Sequence, residues 1–69
     1  MTKLPSSDKV VRVLLGNGFY LKSQKGSHQK CSNGTHTVIV PAPKKEIPLG
    51  TVKSISKQSG ISYDRFINL

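Results

Sequence analysis

Apolar residues along the first third of the chain recur at helical spacing. Val10, Val11, Leu14 and Leu15 form two i,i+4 rows, while Lys9 and Arg12 are free to face water. Upstream, Pro5-Ser6-Ser7-Asp8 suits a helix start. Ser6 or Ser7 can accept a hydrogen bond from an amide that the first turn leaves unpaired, and Asp8 complements the positive helix end. Gly16 and Gly18 supply the permissive backbone that stops the run. The pattern predicts a helix over residues 7–15.

The period then changes to two. Residues 19–24 alternate as a strand, and a second strand over 28–32 leads into Asn33-Gly34, a strong hairpin signal. A two-residue turn there pairs Ser32 with Thr35, Cys31 with His36, Lys30 with Thr37 and His28 with Ile39, and puts the third strand at 35–40. Pro41, Pro43 and Pro48 interrupt ladder donation and mark residues 41–50 as an ordered, irregular loop carrying Lys44 and Lys45. Thr51 is placed to cap a second helix in which Val52 and Ile55 share a face and Lys53 and Lys57 point elsewhere. Gly60 ends it, and Ile61 is expected to fold back on the last turn in a Schellman-type stop. Ser62 can cap a short final helix, with Asp64 in its first turn and Phe66, Ile67 and Leu69 as its apolar contribution.

Helix, three antiparallel strands, helix is an α+β order that places both helices on one face of a small sheet and leaves the other bare. Double-stranded RNA-binding domains share this order, an analogy of fold and not of function. Turn lengths decide which residues share a face, because side chains alternate along a strand. A three-residue loop at Lys25-Gly26-Ser27 sets Gln24 opposite His28 and Lys22 opposite Lys30. Phe19, Leu21, Cys31, Val38 and Val40 then point to the helices, and Tyr20, Lys22, His28, Lys30 and Thr37 point away. A two-residue loop would expose Phe19 and Leu21 and bury Lys22, so the three-residue loop is favoured. Ile39 is the misfit, an apolar residue beside His28 on the bare face.

At 69 residues the chain is one domain, able to bury only about 60% of the surface its unfolded form exposes. Eleven Lys and Arg against three Asp and Glu give a net charge of +8, spread along the chain. Such a surplus attracts polyanions, so nucleic acid leads as a partner; an acidic protein suits the charge equally well, and an anionic membrane surface is a weaker third choice. No apolar run approaches the roughly 20 residues of a membrane span. The first residues lack the apolar core of a secretory signal, and a lone Cys31 fits a reducing cytosol.

Candidate chemistry centres on Gln24-Lys25-Gly26-Ser27-His28-Gln29-Lys30. A neutral imidazole can take a proton near physiological pH. Lys22, Lys25 and Lys30 can hold a phosphodiester, and Gly26 and Ser27 let a backbone come close. RNA carries its own nucleophile, so a base acting on the ribose 2′-hydroxyl makes it attack the adjacent phosphate, with lysines stabilising the charge on the phosphoryl oxygens. Tyr20 and Lys22 are the candidates for protonating the leaving group. A metal site from His28, Cys31 and His36 fails because alternation separates His28 from the other two and no fourth ligand is suitably spaced. Cys31 and His36 are better read as a buried thiol and a hairpin-end histidine than as a nucleophile and base. Lys44, Lys45, Lys53 and Lys57 form a basic surface that can track phosphates without reading sequence. Two Tyr, two Phe and no Trp supply a base-stacking platform poorly.

Gly18-Phe19, Gln24-Lys25-Gly26-Ser27-His28, Val40-Pro41, Leu49-Gly50-Thr51-Val52-Lys53-Ser54-Ile55 and Gly60-Ile61-Ser62 together resemble the HicA family, the toxin halves of bacterial HicA–HicB toxin–antitoxin systems. The resemblance spans nearly the whole chain. It implies a fold like double-stranded RNA-binding domains, metal-independent cleavage of mRNA that arrests translation, no cofactor, and neutralisation by a HicB antitoxin covering the active site. It places the family's catalytic histidine at His28. Several relatives continue with a second histidine or an aromatic where Gln29 and Lys30 stand here, a departure that bears on substrate preference. Two other readings compete: a non-catalytic RNA-binding module that never cuts, and a protein-interaction domain with negligible RNA affinity at physiological salt.

Overall fold

Ser6 caps the first helix, its hydroxyl accepting from the Lys9 amide at 3.1 Å, and Asp8 lies in the first turn. In the computed structural model, which describes residues 4–67, helix α1 runs Ser7–Gly16. Strands β1 (Tyr20–Lys25), β2 (His28–Ser32) and β3 (Thr37–Pro41) follow, then helices α2 (Leu49–Ser59) and α3 (Tyr63–Phe66). The strands form one antiparallel sheet in the order β1-β2-β3. The α+β architecture expected from the pattern is present, with helices on one sheet face.

Of the two apolar rows of α1, Val10 and Leu14 are fully buried, whereas Val11 is half-buried and Leu15 exposed. The core joins Val10, Leu14, Phe19, Cys31, Val38, Val40, Ile47, Val52, Ile55 and Phe66. Alternation along β3 is plain: Val38 and Val40 are inside, and Thr37 and Ile39 outside. Leu21 shares its face with Cys31 but lies on an edge strand that is exposed throughout. With Leu15 it borders a shallow groove of about 300 Å³.

Both hairpins differ in register from the expectation. The first has a two-residue loop, Gly26-Ser27, with Lys25 paired to His28, Gln24 to Gln29 and Ser23 to Lys30. Gly26 has φ of 57° and Ser27 does not have positive φ, the sign pattern of a type II′ turn with glycine first. A register break between Leu21 and Ser23 then makes Lys22 an extra, unpaired residue, and Leu21 returns to Cys31 and Tyr20 to Ser32. This bulge lets a two-residue loop coexist with a buried Phe19, the combination that the hydrophobic pattern alone argued against. The second loop has four residues, not two: Ser32 pairs with Thr37, Cys31 with Val38, Lys30 with Ile39 and His28 with Pro41. The Asn33 side chain accepts from the amides of Thr35 at 2.9 Å and His36 at 2.6 Å, holding a wider turn than Asn-Gly alone requires.

The segment after β3 is tied down by backbone bonds. Ser7 and Lys44 exchange three hydrogen bonds, the Ser7 amide and hydroxyl donating to the Lys44 carbonyl and the Lys44 amide to the hydroxyl. The Ile47 amide donates to the Pro5 carbonyl at 2.8 Å. Helix α2 starts at Leu49 after Pro48, so Thr51 lies inside it and is not its cap. Gly60 closes it with φ of 76°. Ile61 packs against the core. Its amide, however, donates to the Ser59 hydroxyl, not to a helix carbonyl. Ser62 precedes α3 without a side-chain cap bond. Phe66 completes the core, and Leu69 falls outside the described residues.

Candidate active site

His28 opens the central strand immediately after the Gly26-Ser27 turn and is exposed. Its neighbours Cys31, Val38 and Val40 face the helices, so alternation and register put His28, Lys30, Ile39, Ser23 and Lys25 on the bare side. Lys25 stands directly across from His28, on β1, and Pro41 directly across on β3. Opposite residues of an antiparallel pair have Cβ atoms about 4.5–5.5 Å apart. One lysine is therefore held within a side chain's reach of the imidazole by the ladder itself.

The turn carrying His28 is anchored at both ends. The strand pairing holds Lys25 and His28, and the Ala42 amide donates to the Ser27 carbonyl at 2.7 Å. Ala42 is itself buried. This bond joins the β1–β2 turn to the start of the segment bearing Lys44 and Lys45, which itself runs on to the start of α1, where Lys44 bonds to Ser7. Lys44 and Lys45 border a cavity of about 410 Å³ with Ser6, Ser7, Asp8 and Pro43.

The remaining sequence-predicted residues are dispersed. Lys30 follows His28 by two on the same face, opposite Ser23 and Ile39. Lys22 is the bulged residue of β1, and Tyr20 lies opposite Ser32 at the far end of the strand. Lys53 and Lys57 are exposed on α2, in the helical layer, with the Lys53 ammonium 5.9 Å from the centre of the Tyr63 ring. They do not join the His28 cluster. His36 sits in the β2–β3 loop and Cys31 is buried, with burial pushing its thiol pKa up. Among the described residues no three His, Cys, Asp or Glu side chains gather to hold a metal ion.

Sequence reasoning singled out His28 and its lysines but did not place Lys25 opposite it or foresee the Ala42–Ser27 bond. The clue for the first was present in Gly26-Ser27, a dipeptide suited to a two-residue hairpin loop. Nothing local to Ala42 announces the second.

Fold and site together define a small, strongly basic α+β domain with helices on one sheet face and an exposed histidine among lysines on the other. Residues 7–61 match the family described as HicA toxin of bacterial toxin-antitoxin. With most of its length matched, the chain belongs to the HicA toxin family. No curated protein matches it closely enough to count as a relative. The matched span stops before α3, although Phe66 of that helix is fully buried. No helix among the described residues is long and apolar enough to cross a membrane.

Proposed function

We propose that this chain is the toxin of a toxin–antitoxin pair and acts as a metal-independent endoribonuclease on mRNA, arresting translation, with His28 as the general base. The observation that carries the reading is the position of His28: exposed on the bare sheet face, directly opposite Lys25 and two residues from Lys30. The imidazole takes the proton of a ribose 2′-hydroxyl, whose oxygen attacks the neighbouring phosphorus. Ammonium groups nearby stabilise the charge that gathers on the phosphoryl oxygens, and the exposed Gly26-Ser27 turn leaves room for the RNA backbone. Lys44 and Lys45, beside the start of α1, extend the phosphate contacts beyond the sheet. Lys22, Lys53 and Lys57 add longer-range attraction, screened by salt.

An antitoxin of the HicB type covers the same face. Tyr20 and Ile39 support this, being 51% and 42% exposed on the side that the helices leave bare. They offer apolar contact on a surface otherwise rich in charge.

The test is incubation of purified protein with a long single-stranded RNA in excess EDTA, wild type beside His28→Ala, with both folds checked by circular dichroism. Cleavage by the wild type alone is expected, with RNA binding kept by the variant. Binding without cleavage by either protein would favour the non-catalytic RNA-binding module. Equal cleavage by both would remove His28 from the chemistry.

A further inference from the structure

We infer that Lys25 is the proton donor to the leaving 5′-oxygen, the acid partner of His28. The inference rests on the ribonuclease reading and adds to it the group that a base alone does not supply. A 2′-hydroxyl attack makes a P–O2′ bond as the P–O5′ bond breaks. The proton of the 2′-hydroxyl goes to His28, the electron pair of the broken bond goes to O5′, and O5′ must gain a proton. With Lys25 giving that proton, the step leaves a 2′,3′-cyclic phosphate, a free 5′-hydroxyl, an imidazolium and a neutral amine. Both side chains reset through water.

The register selects Lys25 among the possible donors. It is paired with His28 across a two-residue turn, so the imidazole and the ammonium rise from adjacent positions on one face. Tyr20, an obvious acid by chemistry, pairs with Ser32, four residues along β2 from His28, about 13 Å away at about 3.3 Å per residue. Lys22 is displaced into the bulge beyond Ser23. Lys30 is on the same strand as His28, one full repeat of the pleat away. The three carboxylates, Asp8, Glu46 and Asp64, lie in α1, the segment after β3 and α3, none on a strand. His36 is in the loop at the opposite end of the hairpin. The ammonium also has the right form for the task, three donors and no acceptor.

The experiment compares two RNAs that share a mapped cleavage site and differ only in the bridging atom of the leaving group, oxygen or sulfur. A sulfur leaving group departs as a thiolate and needs no proton. Wild type, Lys25→Ala, Lys25→Arg and His28→Ala are assayed on both. Lys25→Ala is expected to lose about 10²–10⁴-fold on the oxygen substrate, the range of a positioned acid, and to recover most of that loss on the sulfur substrate. Lys25→Arg keeps the charge but a guanidinium does not release its proton, so it is expected to bind RNA, fail on oxygen and recover on sulfur. His28→Ala is expected to fail on both. A Lys25→Ala defect equal on the two substrates, or full activity of Lys25→Arg on oxygen, would reduce Lys25 to a charge clamp and overturn the proposal. If the wild type cuts neither RNA, the ribonuclease reading itself falls and the proton donor with it.

Discussion

Ile47 is the sole large side chain between β3 and α2 that is fully buried, and it sits in a stretch with no helix or strand of its own. Replacing it with alanine removes three carbons from the core. At about 0.8 kcal/mol per buried methylene the transfer loss is about 2.4 kcal/mol. A partly collapsed cavity brings the total to about 3 kcal/mol, within the usual range for such truncations. Against a stability of about 3.5–10 kcal/mol for a chain of this size, that is a large fraction. For a domain of 60–100 residues each kcal/mol shifts Tm by about 4–8 °C, so Ile47→Ala should melt about 12–24 °C lower. Thermal and urea unfolding followed by circular dichroism measure this, with a reduced urea midpoint at unchanged slope identifying a stability effect. Ile47→Val should lose only about 0.5–1.5 kcal/mol. A loss under about 1 kcal/mol for Ile47→Ala, or an equal loss for exposed Glu46→Ala, would refute the view that this residue pins the segment to the core.

Deleting Lys22 tests the bulge: with the extra residue gone, Leu21 meets Cys31 in even register, and the protein should stay folded with stability changed by less than about 1 kcal/mol in a urea titration. A deletion variant that is unfolded would show that the register break is required and not merely accommodated. Cys31 gives a pH dependence. Because burial raises its folded-state pKa, its contribution to stability is fully present below the unfolded thiol's value, about 8.5, and is lost as pH rises through the folded value. Between pH 7 and 10 the wild type should therefore lose urea stability more steeply than Cys31→Ala, and identical alkaline slopes would contradict the burial argument.

Much of the fold was legible because periodicity reports burial directly. Val10 and Leu14, Val38 and Val40, Val52 and Ile55 all lie where their spacing put them. Loop geometry was harder to read, since it depends on which side-chain oxygen wins a given amide. Asn33 spends its carbonyl on Thr35 and His36, widening that loop by two residues, and an even shift preserves every face. In the first hairpin a loop one residue shorter is offset by one bulged residue, so the faces of Tyr20 and Leu21 survive while the pairing near the turn does not. His28 therefore stood on the expected side, yet the residue across from it changed from Gln24 to Lys25. Burial of Ile47 and Ala42 follows from tertiary closure around the proline-rich segment, which no local pattern encodes.

The outer strand β1 is exposed along its whole length and, among the described residues, has no strand paired on its free side. A bare strand edge is a template on which further chains can add. In this molecule two features oppose that growth: the kink at Lys22 breaks the even spacing of backbone donors and acceptors, and Lys22 and Lys25 place positive charge along the strand. The lysines proposed to meet RNA thus also act as a colloidal guard, keeping copies apart in concentrated solution. Variants that neutralise several of them at once lose that guard together with the phosphate contacts proposed for them. Poor solubility in such variants is then a property of the edge, separate from any change in catalysis.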